Sequence, residues 1–174
     1  PGQFRKVAAA LARLPGVRVV GVGDASWMKS TVPIEGVPVI GYPAPAEGNK
    51  DLLHPWSRRF DAAVRRGEQV MTTLASYKEE GLEPDVIVTH PGWGDAYFLR
   101  DFFPGTKVVG LFEYYYHARG ADVGFDPEFP SSMNDIFRLR TLNATQLLAL
   151  DSCDEGFCPT QWQRSRFPDI WQQR

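Results

Sequence analysis

Residues 90–94, which read HPGWG, place a titratable side chain and a large aromatic ring directly after an apolar run. That run, Val86, Ile87 and Val88, is short and β-branched, which predicts a fully buried strand. In an open parallel sheet, ligands bind beyond the carboxyl ends of the strands. We therefore expect His90 to make polar contacts in a cleft, with a core histidine or a helix cap as the alternative.

Trp93 stands between Gly92 and Gly94, and the two glycines leave its ring free to project. Aromatic rings stack on the apolar faces of sugar rings and other flat ligands. Trp93 is therefore the first candidate for a stacking contact.

Glu113 lies near the end of the next predicted buried strand, residues 107–114, beside the equivalent end of the strand before His90. Burying an unpaired carboxylate is costly, so Glu113 needs a partner. The candidates are His90, His117 and Arg119. A structural salt bridge and a carboxylate poised in a cleft both remain open.

Two polar side chains, Arg140 and Asn143, lie on or beside the apolar face of a predicted helix at residues 132–150. Polar groups in such places either cap loops or reach into a cleft, and the sequence leaves both readings open. Tyr115, in the tyrosine run before this helix, is a second candidate for stacking, although the tyrosines could equally be core residues.

Gly2 precedes the first predicted helix, where a glycine lets a phosphate approach the backbone N–H groups and the positive helix end. A glycine needed only for the turn is the alternative. The segment GVGDAS, residues 21–26, only superficially begins a dinucleotide fingerprint, because Ser26 replaces the third glycine and Pro33 follows instead of a helix. We expect a plain turn there.

The composition excludes several classes of protein. With 174 residues, 43% hydrophobic residues and a net charge of -2, the chain suits one soluble domain and has no global basic field for nucleic acid. No run approaches the ~20 apolar residues of a membrane span. Cys153 and Cys158 match neither a zinc site nor a redox motif, which predicts reduced core thiols in a cytoplasmic chain.

Four arginines on the predicted long helix indicate a solvated face, or alternatively a peripheral contact with an anionic inner membrane: Arg58, Arg59, Arg65 and Arg66.

Strands alternate with helices along the chain, which predicts an α/β fold with a Rossmann-like, doubly wound parallel sheet in three layers, α/β/α. The predicted strands are 17–23, 37–43, 85–89, 107–114 and 155–159. The predicted helices are 3–14, 54–80, 95–103, 132–150 and a last one that is capped by Thr160 and interrupted by Pro168.

The first helix implies a preceding central strand that the sequence lacks. We expect a fragment whose gap is filled by a tag segment, a rearranged sheet, or a neighbouring chain through strand exchange or a dimer.

Four segments together resemble the N-terminal half of a bacterial family 4 glycosyltransferase of the two-domain GT-B class: PGQFR, DVIVTHPGWGDAYFLRDFFP, FEYYYHARGADVGFDPEFP and RLRTLNATQLLALDSCDEGFCPTQWQRSRFP. The resemblance covers nearly the whole chain. It implies an acceptor-binding domain facing a C-terminal domain that binds the nucleotide-sugar donor. It also implies retention of anomeric configuration, no metal and no cofactor, and a sugar or lipid-linked acceptor.

The resemblance also implies roles for residues. Gly2 would approach the donor diphosphate, while the HPGWG segment, with His90, Gly92, Trp93 and Gly94, would line the acceptor side. Many relatives have a histidine where this chain has Glu113. Further substrate contacts are expected from residues near the cleft: Tyr115, Arg119, Arg140, Asn143 and Thr160.

The donor-binding residues of such enzymes belong to the C-terminal domain, so we expect residues 1–174 alone, as the N-terminal domain, to be catalytically inert. His90 and Glu113 are the predicted catalytic pair of the complete enzyme. The rival hypothesis is a stand-alone, flavodoxin-like module that binds a small ligand without chemistry. A nicotinamide dehydrogenase domain is disfavoured by the broken fingerprint at residues 21–26.

Overall fold

The computed structural model describes residues 2–49, 51–121 and 123–173. The chain divides into two compact units, Pro1–Pro45 and Ala46–Arg174. Every pairing between the named strands is parallel, and helical segments connect each strand to the strand it pairs with. This confirms the predicted α/β class, with parallel sheets flanked by helices as in a Rossmann-like fold.

The first unit contains, in chain order, helix α1 (Arg5–Leu11), strand β1 (Gly21–Asp24), helix α2 (Ala25–Met28) and strand β2 (Val39–Tyr42). The strands form a two-stranded sheet in which Val22 lies opposite Ile40. Helix α1 is shorter than the predicted 3–14, and none of its residues is buried. An unburied face gives a short helix little packing energy with which to hold further turns.

Helix α2 corrects the expectation that no helix follows β1. The Asp24 side chain caps it, accepting hydrogen bonds from the Ser26 backbone N–H at 2.9 Å and from the Ser26 hydroxyl at 2.6 Å. An aspartate at this position satisfies a free N–H group and puts its own negative charge at the helix end. The predicted plain turn is therefore wrong in part, because a short helix begins here, while the aspartate at its end disfavours the binding of a pyrophosphate.

The second unit contains α3 (Arg58–Glu79), β3 (Val86–Thr89), a 3-10 turn (Pro91–Trp93), α4 (Leu99–Phe102), β4 (Lys107–Leu111), α5 (Met133–Asp151), β5 (Glu155–Phe157), α6 (Gln161–Arg164) and a second 3-10 turn (Asp169–Trp171). Its three strands form a separate sheet in the order β3-β4-β5. Thr89 lies opposite Gly110, and Leu111 lies opposite Phe157. The five strands therefore form two sheets.

Strand β3 is not fully buried as predicted. Val86 is 53% exposed and Val88 is 46% exposed. The two residues are two positions apart, so their side chains point to the same face of the sheet, and that face is only partly covered in the structure. A run of β-branched residues predicts a strand but does not show whether both faces are covered.

Two predicted helices are much shorter in the structure. The helix expected at 95–103 is the single turn α4, preceded by turns, and the last helix ends at Arg164, before Pro168. A second turn starts after that proline, consistent with the predicted interruption. In the described ranges, no helix combines the length and apolar character that crossing a membrane requires.

The core of the second unit packs tightly around Phe112. Gly110 and Gly156 lie opposite each other on β4 and β5. A Cβ atom on Gly110 would come within 2.5 Å of the Phe112 ring, and one on Gly156 within 2.9 Å. The ring, which is 3% exposed, therefore occupies the space of two absent side chains. The remaining residues of this core cluster are Ala63, Tyr97, Val108, Ala149, Leu150, Cys153 and Phe167.

The loop after β3 lies directly on helix α3. Gly94 is buried and has a φ of 98°, a left-handed conformation that favours glycine. A Cβ atom there would lie 2.1 Å from the Ala63 carbonyl oxygen, and one on Gly67 would lie 2.9 Å from the Gly94 carbonyl oxygen. Glycines at both positions allow this backbone-to-backbone contact.

We predict that Gly94→Ala lowers the free energy of unfolding by about 3 kcal/mol or more, from backbone strain together with the clash against α3. Chemical denaturation measures the change. The matched control is Gly81→Ala, because Gly81 has a φ of 93° but open space around it. The control should lose only the strain, about 1–2 kcal/mol. Equal losses in the two variants would show that Gly94 is not packed against α3.

We also predict that the Cys153 thiol resists alkylation in the folded chain. Both cysteines are free, as predicted, and Cys153 is buried. Burial raises the pKa of Cys153 to about 12 and raises the pKa of the less buried Cys158. At pH 8, about one Cys153 thiol in ten thousand is then a thiolate, the form that reacts. Mass spectrometry after iodoacetamide treatment should find Cys153 modified more slowly than Cys158, with similar rates in guanidinium. Rapid modification of native Cys153 would contradict the buried position.

Candidate active site

The ends of β3 and β4 bring His90 and Glu113 together. His90 follows the last residue of β3 and Glu113 lies two residues beyond β4. Their side chains meet with His90 Nε2 3.0 Å from Glu113 Oε2. Because a carboxylate oxygen accepts hydrogen bonds, Nε2 carries the proton in this contact. Of the three partners predicted for Glu113, the structure thus places His90 beside it.

The pair lies at the protein surface and not in the core. The His90 side chain is 19% exposed and the Glu113 side chain is 44% exposed. The carboxylate is accessible to solvent, so the contact is not a fully desolvated ion pair. Both residues occupy the carboxyl end of a parallel sheet, which is where ligands bind in such folds.

Helix α6 holds the backbone at Glu113. Gln163 donates a hydrogen bond from Nε2 to the Glu113 carbonyl oxygen at 2.9 Å. Thr160 caps the helix, since its hydroxyl oxygen accepts from the Gln163 backbone N–H at 3.1 Å and its hydroxyl donates to Gln163 Oε1 at 2.9 Å. The predicted cap by Thr160 is confirmed, and Gln163 links it to the end of β4.

Thr160 itself lines a different part of the surface. It borders a pocket of about 380 Å³ together with Phe157, Cys158, Arg164 and Trp171. Neither His90 nor Glu113 lines that pocket. The substrate contact predicted for Thr160 stays a prediction, and its cap on α6 is the role that the structure shows.

Asn143 fixes the tyrosine segment after β4. Its side chain is 6% exposed, accepts from the Tyr116 backbone N–H at 3.0 Å and donates to the Tyr116 carbonyl oxygen at 2.7 Å. Of the two readings left open for Asn143, the structure shows the one in which it caps a loop. Tyr115 packs with its ring centroid 5.6 Å from that of Phe167 and 5.8 Å from that of His117. Its ring therefore supports the core, and its predicted stacking with a ligand is untested.

Of the charged candidates for ligand contacts, His117 has a hydrogen bond of its own, and the two arginines are exposed. His117 bonds through Nε2 to the Arg166 carbonyl oxygen. Arg119 and Arg140 are exposed. Their substrate contacts remain predictions.

Trp93 is 55% exposed, as expected from its position between glycines. The Arg59 guanidinium carbon lies 5.7 Å from the centroid of its ring, a cation–π contact.

Two other arginines of α3 form ion pairs: Arg65 Nε with Asp61 at 2.7 Å and Arg66 Nε with Asp95 at 3.7 Å. Asp61 raises the pKa of the exposed Arg65 through a side-chain hydrogen bond and its charge. These pairings support a solvated face and leave membrane contact unsupported.

Gln146 is a residue near the pair that the sequence did not suggest. A Cβ atom built on Gly92 would lie 3.1 Å from Gln146 Nε2, 3.4 Å from His90 Cε1 and 3.8 Å from His90 Nδ1. A side chain at position 92 would therefore crowd the Gln146 amide, so Gly92 packs closely between the two side chains. The available signal was the position of Gln146 on α5, three residues after Asn143 and so on nearly the same face.

Gly2 belongs to the first unit. A Cβ atom on it would contact nothing within 4 Å, so packing does not require the glycine. Its predicted approach to a diphosphate stays a prediction. As for metals, the part of the chain that the structure describes contains no group of three or more His, Cys, Asp or Glu residues that could hold an ion.

Comparisons with known proteins support the resemblance found in the sequence. No curated protein and no solved structure matches the chain significantly. A family model does match, over residues 15–174, and its description is "Glycosyl transferase family 4 group". The match spans both compact units and includes the His90–Glu113 pair, Trp93 and Gln146. The chain therefore belongs to the glycosyl transferase family 4 group.

Proposed function

We propose that this chain is the N-terminal, acceptor-side domain of a retaining, metal-independent glycosyltransferase that moves a sugar from a nucleotide-sugar donor to an acceptor. The family supports a role in glycosyl transfer. The finer assignment rests on the likeness of the HPGWG and GADVGFDPEFP segments to the N-terminal half of such enzymes. In this proposal, a C-terminal domain binds the donor, and the acceptor is a sugar or a lipid-linked sugar.

The observation that carries the proposal is the hydrogen-bonded pair of His90 and Glu113 at the ends of neighbouring strands. A carboxylate that accepts from Nε2–H fixes both the tautomer and the orientation of the imidazole. The ring is then held in place before the ligand arrives, which lowers the entropic cost of binding. Trp93 adds an exposed aromatic face on the same loop.

The chemistry we assign to these residues is binding and orientation at the acceptor side. His90 and Glu113 would contact hydroxyl groups of the substrates, and Trp93 would stack on a sugar face. The positive charge that develops on the donor sugar would be stabilised by the donor diphosphate and nearby protein groups. The cytoplasmic location, with or without peripheral membrane contact, belongs to the same proposal.

We predict that Glu113→Gln lowers kcat of the complete enzyme by at least about tenfold, because a neutral amide accepts a weaker hydrogen bond from His90 Nε2–H and orients the ring less firmly. Steady-state transfer assays across pH measure the effect. Folding should be preserved, since the Glu113 side chain is 44% exposed and Gln163 contacts only its backbone carbonyl.

The matched control is Glu155→Gln. Glu155 also lies in the three-stranded sheet and pairs with Lys107 at 2.6 Å, away from His90. Its side chain is 57% exposed, so the substitution should change neither kcat nor stability appreciably. Equal activity of the Glu113 variant and the control would exclude a role for the His90–Glu113 pair in transfer.

We also predict that residues 1–174 alone neither transfer sugar nor bind nucleotides tightly, because the proposal places donor binding in the other domain. Calorimetric titration of this chain with UDP, GDP and FMN, and transfer assays with UDP-glucose and GDP-mannose, test this. Tight FMN binding would favour the flavodoxin-like module, and sugar transfer by the chain alone would overturn the domain assignment.

In the complete enzyme, EDTA should leave transfer unchanged if the reaction is metal-independent.

A further inference from the structure

The chain after β4 packs against the segment that contains α6. The Phe112 ring centroid lies 5.8 Å from that of Phe167, and the Tyr114 ring centroid lies 6.1 Å from that of Trp162. Both separations are typical of aromatic rings in contact. The residues immediately before and after Glu113 are therefore both held against this segment.

Gln163 holds the backbone between these two aromatic contacts. Its Nε2 donates to the Glu113 carbonyl oxygen at 2.9 Å. Because a carbonyl oxygen only accepts, the amide must face it with its nitrogen. The other end of the amide agrees with this orientation, since Oε1 accepts from the Thr160 hydroxyl at 2.9 Å. Both ends of the amide are thus engaged, and Gln163 joins the start of α6 to the backbone of Glu113.

The backbone at Glu113 determines where its carboxylate lies. Glu113 is two residues beyond β4 and outside the register of the paired strands. Its side chain is 44% exposed, so packing around the carboxylate fixes it only in part. A rotation of the peptide group that follows Glu113 would move the carboxylate relative to the His90 imidazole. The hydrogen bond from Gln163 restricts this rotation.

We propose that Gln163 is a positioning residue for sugar transfer and that it acts through Glu113. By holding the Glu113 carbonyl, it keeps the carboxylate where it accepts a hydrogen bond from His90 Nε2–H. A misplacement of about 1 Å can lower a reaction rate by about a hundredfold, so such a contact affects the rate without touching substrate. This inference rests on the proposed function for the reaction, and it adds a residue outside the His90–Glu113 pair.

The test variant is Gln163→Glu in the complete enzyme. The substitution keeps an oxygen for the Thr160 hydroxyl and places an acidic side chain in the first turn of α6, which favours the helix. It removes the N–H donor and sets a second acceptor against the Glu113 carbonyl. We expect kcat to fall by at least about fivefold, while KM for the donor changes by less than about twofold. An unchanged kcat would overturn the inference, since a residue that only stabilises α6 tolerates this substitution.

The matched control is Gln161→Glu. Gln161 is an exposed residue of the same helix, so the substitution adds the same charge to the same turn. Gln161 lines the pocket that Thr160 borders, and neither His90 nor Glu113 lines it. Its kcat should stay within about twofold of that of the parent enzyme. An equal loss in the two variants would assign the effect to charge and contradict the inference.

A double-mutant cycle shows whether Gln163 acts through Glu113. In the Glu113→Gln background, Gln163→Glu should lower kcat by less than about twofold, because the carboxylate that it positions is already absent. Equal fold losses in the two backgrounds would show that Gln163 acts by another route, and the inference would be wrong.

The ¹⁵N signal of His90 Nε2 gives a second measurement, made on residues 1–174, that needs no activity. Gln163→Glu should shift this signal, and Gln161→Glu should leave it in place. If the signal shifts but the complete protein transfers no sugar, the proposed function is overturned, while the dependence of the His90–Glu113 contact on Gln163 stands. If the complete enzyme transfers sugar with a kcat that does not depend on Gln163, only the present inference is overturned.

Discussion

The close approach of the loop after β3 to helix α3 is the constraint on which the arrangement of the site depends. Gly94 lies so near the Ala63 carbonyl that no side chain fits between them. The chain between the end of β3 and this contact is only four residues long, residues 90–93, so its path is short and fixed at both ends. His90 therefore lies at the strand end, and Trp93 lies exposed at the surface one residue before the contact with α3.

Helix α5 contributes neutral amides to the surroundings of this loop. Asn143 is buried and uses its amide to hold the Tyr116 backbone. Gln146, three residues later, is half-buried, and its side-chain nitrogen lies beside Gly92. The same helix thus uses one amide for structure and presents another at the site.

Much of the fold and part of the site follow from the sequence. The order of strands and helices was predictable because apolar runs, glycines and prolines mark element ends locally, as at Gly81 and Pro168. The His90–Glu113 contact was predictable because parallel strands end at one edge. The exposure of β3 was not, since it depends on which elements cover each face of the sheet in space. The position of Gln146 beside Gly92 was not predictable either, because nothing along the chain shows that these two residues are close in space.

The packing of Phe112 restricts which residue types can occur together at positions 110, 112 and 156. Its ring fills the space that side chains on Gly110 and Gly156 would need, and those two glycines face each other across neighbouring strands. An aromatic residue at 112 is therefore incompatible with any larger residue at 110 or 156. The three positions should vary jointly among relatives: where either glycine is replaced, residue 112 should be small. This covariation would mark homologues that share the strand pairing between β4 and β5, even where the rest of the sequence has diverged.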